Sequence, residues 1–168
     1  MKAIDFANYI VWYANKTYPN IPLTHLKLQK LIYYFCVLYA REKNHIPFNE
    51  KINKWQFGPV VSSVYDEFKV YGANPIKNPS TGMVLIKKED GSFQLDTTEF
   101  NVENYPEDIK NLMNSIVDKL IDTEPFTLVD RTHEDDGWKY YSHIILAGDK
   151  TLAYTLDEII NSKYPNYS

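Results

Sequence analysis

Cysteine is almost missing from this 168-residue chain: Cys36 is the only one. An internal disulfide and a four-cysteine zinc site are therefore excluded. No stretch approaches the ~20 consecutive apolar residues of a membrane-spanning helix, and no N-terminal segment joins basic residues to a long apolar run. Positive charge is also in short supply. Eighteen Lys and Arg stand against 22 Asp and Glu, giving a net charge of −4 and a pI near 5.5. That balance removes the broad basic field from which non-specific phosphate binding draws its affinity. Gly-rich phosphate cradles, G-x-S-x-G elbows and paired-histidine zinc motifs are absent too. The default location for such a chain is a reducing cytoplasm.

What is present is ordinary globular material with one bias. Hydrophobic residues make up 44% and charged residues 24%, so the chain can bury a core and is not disordered. Aromatic residues reach 15%, with 14 Tyr, 8 Phe and 3 Trp. Tyr and Trp pair an apolar face with a polar tip, which suits half-buried cores and protein interfaces equally.

Periodicity predicts a mainly helical chain. Phe6, Ile10, Tyr13 and Ala14 recur at helical spacing until Pro19 ends the run. Thr24 is placed to cap the next helix, whose apolar stripe is Leu28, Leu31, Ile32, Phe35, Leu38 and Tyr39. Its other face carries Lys27, Lys30, Tyr34, Arg41 and Glu42. Ile52–Phe57 alternate weakly as an extended segment. Gly58-Pro59 then predicts a helix start, with Pro59 at the first helical position and Gly72 as the stop. Asp90-Gly91 predicts a hairpin between Met83–Lys88 and Ser92–Asp96. Pro106, Pro125 and the capping box Thr155–Glu158 open three further helices. The expectation is one α+β domain over residues 1–168, predominantly α-helical, with a small antiparallel sheet.

Chemistry is sparse. Cys36 lies among Ile32, Phe35 and Tyr39 on the apolar helix, where a thiol packs as a small hydrophobe rather than forming a thiolate. His133-Glu134-Asp135-Asp136 offers ligand-type residues, but four adjacent positions seldom converge on one ion, so an acidic loop before Gly137-Trp138 is the expectation. A hydrolase using His133 with nearby acids such as Asp136 is the enzymatic alternative. No cofactor or metal is implied.

Two segments together carry a family signature. Leu26-Lys27-Leu28-Gln29-Lys30-Leu31-Ile32-Tyr33-Tyr34, then Trp55-Gln56-Phe57-Gly58-Pro59-Val60-Val61, then Val64-Tyr65-Asp66-Glu67-Phe68 up to Gly72, resemble the Panacea domain, also called the SocA-like or GepA-like phage-associated domain. Thr132-His133 with Gly137-Trp138 is similar to that family's C-terminal element, and the likeness runs from Phe6 to about Tyr164. The resemblance implies an antitoxin that neutralises a protein toxin encoded nearby by direct binding. The alternative within the family is an adaptor delivering its partner to a ClpXP-type protease. Some members add a DNA-binding domain, and nothing here resembles one. On that basis the partner-binding candidates are Lys27, Gln29, Lys30, Tyr33, Tyr34, Trp55, Tyr65 and Trp138. Lys27 and Lys30, three apart, are expected on one exposed side, either facing a partner or joined to Asp66 and Glu67 in an internal polar network.

Overall fold

The computed structural model describes residues 1–166. The chain opens with α1 (Ala3–Thr17), where the Asp5 carboxylate accepts from the Lys2 N–H at 2.6 Å. Thr24 caps α2 (His25–Lys43), its hydroxyl accepting from the Lys27 N–H at 3.3 Å, and Asn44 closes it in the left-handed conformation. After β1 (Ile52–Trp55) and β2 (Gly58–Val61) come α3 (Ser62–Phe68) and a short 3₁₀ turn ending before Gly72. A second ribbon, β3 (Gly82–Lys87) and β4 (Phe93–Thr98), precedes α4 (Glu107–Leu120) and α5 (Pro125–His133). Three short helices complete the chain: α6 (Asp136–Lys139), α7 (Ser142–Leu146) and α8 (Leu156–Ile160). The box Thr155–Glu158 does cap α8, each residue bonding the other's backbone.

α2 is the axis. It packs against α1, α3, α4, α5, α8 and β2, and twelve of its residues between Lys27 and Ala40 are buried. A helix covered on all sides has no solvated stripe to spare, and this one is surrounded from Lys27 to Val37. One core runs from Ala3 in α1 through Phe35, Val64, Met113 and Leu128 to Ile159 in α8. The fold is thus predominantly helical, with two separate antiparallel two-stranded sheets.

The segment after Gly58 corrects a sequence expectation. Gly58-Pro59 does not start a helix; it begins β2, which pairs antiparallel with β1 through Trp55↔Gly58 and Ile52↔Val61. The helix starts three residues later, at Ser62. The fixed φ of proline suits an edge strand as well as a first helical turn, and here the tertiary setting decides. Gly58 holds φ +91° at the end of a tight turn, a conformation short hairpin loops demand and L side chains rarely adopt. A second reason for glycine is steric, because a Cβ at this position would collide with the Thr132 hydroxyl and press on the Lys30 side chain. Gly58→Ala is therefore expected to lower stability by at least about 2 kcal/mol, combining positive-φ strain with the clash. Urea unfolding of the two proteins measures it.

Candidate functional site

The polar start of α2 faces inward. Lys27, Gln29 and Lys30 are all buried, Lys30 completely. The expected exposed side is therefore corrected: each residue bonds a backbone group of another element. Lys27 Nζ donates to the carbonyl of Ile121 at 2.6 Å, neutralising the unpaired end of α4 where the helix dipole is negative. Gln29 works in both directions on one residue. Its Oε1 accepts from the Val61 N–H at 2.9 Å and its Nε2 donates to the Val61 carbonyl at 3.2 Å. Lys30 Nζ donates to the Pro59 carbonyl at 3.1 Å. Asp66 does not reach either lysine and pairs with Lys69 at 2.7 Å.

Burial shapes the charge states. Desolvation lowers the Lys30 pKa from 10.5 to about 7, with no carboxylate to oppose it. Desolvation also lowers that of Lys27, against the pull of Glu124 and Asp122.

One turn further along α2, the Tyr33 hydroxyl donates to Asp135 Oδ2 at 3.0 Å. Ser162 Oγ donates to the same oxygen at 2.6 Å, and the Lys163 N–H to Oδ1 at 2.7 Å. Burial raises the Asp135 pKa, and these donors pull it back. The acidic run holds only a two-residue link rather than a longer loop: His133 ends α5, Glu134 and the buried Asp135 connect the helices, and Asp136 begins α6. Among the described residues, no group of three His, Cys, Asp or Glu side chains could hold a metal ion. Cys36 is buried, and desolvation raises its thiol pKa well above the ordinary value. That matches the packing role expected for it.

The β1–β2 hairpin rests on these side chains. From α5 and α6, Trp138 Nε1 donates to the Trp55 carbonyl at 2.9 Å, and His133 Nε2 meets the Gln56 carbonyl at 3.0 Å. The two rings stack at 3.6 Å. The His133 contact requires a proton on Nε2, and desolvation lowers the ring's pKa, so the neutral tautomer serves as the donor. From the side, residues near the C-terminus flank β1: the Lys54 N–H donates to Leu152, and the Tyr154 N–H to Ile52, both at 2.8 Å. Lys54 Nζ is held by Glu158 at 2.9 Å, 3.9 Å from the Tyr141 ring centre.

Other side chains of the hairpin and its neighbours stay accessible. Trp55 and Tyr65 are half-buried with ring centres 5.0 Å apart, and Trp55 Nε1 donates to the Lys150 carbonyl at 3.3 Å. The turn residues Gln56 and Phe57 face solvent. Phe57 is 47% exposed and meets Phe126 of α5, 59% exposed, edge to face at 5.8 Å.

Of the eight candidates, the structure thus buries Lys27, Gln29, Lys30, Tyr33, Tyr34 and Trp138, leaving Trp55 and Tyr65 partly accessible. It gathers Gln29, Lys30, Trp55 and Trp138 around one hairpin. Sequence reasoning missed Phe57, Phe126 and the supporting role of Asp135. An aromatic residue inside the Trp55–Gly58 turn was the one available signal, since turn positions ordinarily favour Gly, Asn or Asp.

Lys30 gives this arrangement a pH signature. Its folded pKa, about 7, lies below the 10.5 of a free lysine. The unfolded chain therefore binds the extra proton between those values, and native stability rises with pH across that window. Lys30→Met removes the term. Its stability relative to the natural protein should be greatest at neutral pH and below, and should fall by on the order of 3 kcal/mol towards pH 10. Urea melts of both proteins at neutral and mildly alkaline pH test the sign.

Comparison with curated proteins gives no match, and neither does comparison with solved structures. The family model described as antitoxin SocA-like, Panacea domain, matches residues 28–139, more than half of the chain. The match begins inside α2, ends with α6, and contains the hairpin together with Gln29, Lys30, His133 and Trp138, which bond its backbone, and Thr132, whose hydroxyl lies against Gly58. It supports an antitoxin-like role in general terms. This chain belongs to the SocA-like antitoxin family defined by the Panacea domain.

Proposed function

We propose that this protein is an antitoxin that neutralises a protein toxin by direct binding, and that the bound surface is the accessible surface of the β1–β2 hairpin. The observation that carries the reading is the exposed Phe57–Phe126 pair at the turn of a hairpin that also carries the half-buried Trp55, packed on Tyr65, and whose carbonyls are held by Trp138 and His133. Binding energy concentrates in rigid aromatic anchors, because little side-chain entropy remains to be lost when the partner arrives. Neutralisation by binding needs affinity and no reacting group. His133, the residue on which a hydrolase would depend, has its Nε2 on a backbone carbonyl and its ring against Trp138. Gln29, Lys30 and Trp138 act through the hairpin they hold, and Trp55, Phe57, Tyr65 and Phe126 make the contact.

The partner to test is the product of the adjacent gene. Co-expression should restore growth and yield a complex, and Phe57→Ala with Phe126→Ala should weaken that complex at least tenfold, about 1.4 kcal/mol. The melting temperature should hardly move, because both side chains already face water. Val70→Ser, at a position 82% exposed on the 3₁₀ turn, serves as the surface control. Undiminished binding by the double variant would remove the hairpin as the contact surface. Loss of the toxin only when an energy-dependent protease is present would replace sequestration by delivery to that protease.

A further inference from the structure

The β3–β4 ribbon is the part of the chain that its own fold leaves bare. Alternation along its six paired positions puts the odd-numbered residues Met83, Leu85, Lys87, Phe93, Leu95 and Thr97 on one face and the even-numbered ones on the other. A ribbon that packs on a core ordinarily turns its apolar face inward. This one does the reverse. Met83, Leu85, Phe93 and Leu95 are 60–72% exposed, whereas Val84 and Ile86 of the opposite face are 42% and 45% exposed. Gly82, Val84 and Thr98 line a cavity together with Met83 and with Ile4 and Asn8 of α1. The less apolar face is therefore the one turned towards the body.

The exposed face has the size of an interaction site. At those exposures its four large side chains present a patch of roughly 400–500 Å², as large as the apolar patches that mark contacts on other monomers. Two such faces together, with the stems and backbone around them, hide about 1,200 Å², the lower end of a specific interface. A two-stranded ribbon is also marginal by itself in water and gains from a second layer.

Charge says what that layer is. Lys87 is the single charged residue among the paired positions of this face, and it stands at the turn end. Glu99, also exposed, follows β4 at the root of the ribbon and continues the odd-numbered alternation. Among the described residues neither has an ion-pair partner. The face thus runs from a glutamate through four apolar side chains to a lysine. A surface of that kind complements itself when turned end for end, because each lysine then meets the other copy's glutamate across a shared apolar centre. Stacked in the same direction, it would set like charges together.

We propose that a second copy of this chain covers the face. Two ribbons pack apolar face to apolar face, the turn end of one over the root of the other, with Leu85 and Leu95 at the centre and Lys87 of each copy beside Glu99 of the other. The inference does not rest on the toxin contact proposed for the β1–β2 hairpin.

Sedimentation equilibrium on the full chain, with no toxin present, tests it. The average mass should climb from one chain to two between roughly 1 and 100 µM, as suits a small interface, and should stop there. Leu85→Thr with Leu95→Thr should stay monomeric throughout with an unchanged circular dichroism spectrum, since threonine keeps the strand preference. Lys87→Glu alone and Glu99→Lys alone should each weaken the dimer at least tenfold. Mixing those two single variants should restore it, because their mixed dimer regains both opposite-charge contacts, a recovery that no contact within one chain produces. The proposal is overturned if the natural chain stays monomeric over that range, if the leucine double variant dimerises as before, or if mixing restores nothing. It is overturned too if the mass keeps rising past two copies, the mark of open edge-to-edge strand pairing. A chain that is monomeric alone, and whose leucine double variant loses the toxin, would give the face to the toxin instead.

Discussion

Gln29 and Val61 exchange two hydrogen bonds, and the rest of the candidate site follows from that exchange. β2 is four residues long and pairs only with β1, too little to stand alone in water. A glutamine amide presents a donor and an acceptor side by side, as a neighbouring strand would. On α2 it supplies the missing pairing from a rigid element. Lys30 extends the same hold to the Pro59 carbonyl, and Trp138 and His133 to the carbonyls of Trp55 and Gln56. The hairpin is thus bound along its backbone by side chains of three helices.

Such a clamp is energetically demanding. A buried ammonium without a counter-ion loses hydration that one carbonyl does not replace, and Lys30 answers by releasing its proton more readily. Lys27 faces a milder version at the end of α4, where the helix dipole and two nearby acids favour its charge. Methionine or leucine would pack these positions at lower desolvation cost, but neither could define where β2 lies on α2. Directional bonds to specific carbonyls fix a register that apolar packing leaves loose.

Sequence made some of this legible and hid the rest for a physical reason. The stripe from Leu28 to Phe35, the Thr155–Glu158 box and the Asp90-Gly91 hairpin are local signals, and each formed where expected. Lys27, Gln29 and Lys30 looked solvated because their partners are carbonyls, which every residue carries and no pattern marks. Asp135 looked like part of a solvated acidic run, because its donor Tyr33 lies 102 positions away. Gly58-Pro59 was read as a helix start from its own neighbours, and pairing with β1 across the turn made it a strand start instead. Where the outcome depended on a residue's own neighbours, the sequence sufficed. Where it depended on distant backbone, it did not.

The second ribbon shows what the clamp contributes. β3 and β4 are longer than β1 and β2, with six paired positions, and every residue of both is exposed. The pairing sets Leu85 opposite Leu95, with Met83 and Phe93 at alternate positions on the same face, so apolar side chains are available there too. No described hydrogen bond ties its strands to a helix; the nearest anchors flank it, where Ser80 bonds Asn8 and Phe100 packs near Tyr9 and Trp12. Pairing and apolar content therefore do not distinguish the two hairpins. The difference is support: β1–β2 is held by side chains that leave its turn little freedom, and a contact made there loses little entropy on binding. That is the physical ground for preferring Phe57 over the more exposed Phe93 or Leu95 as an anchor.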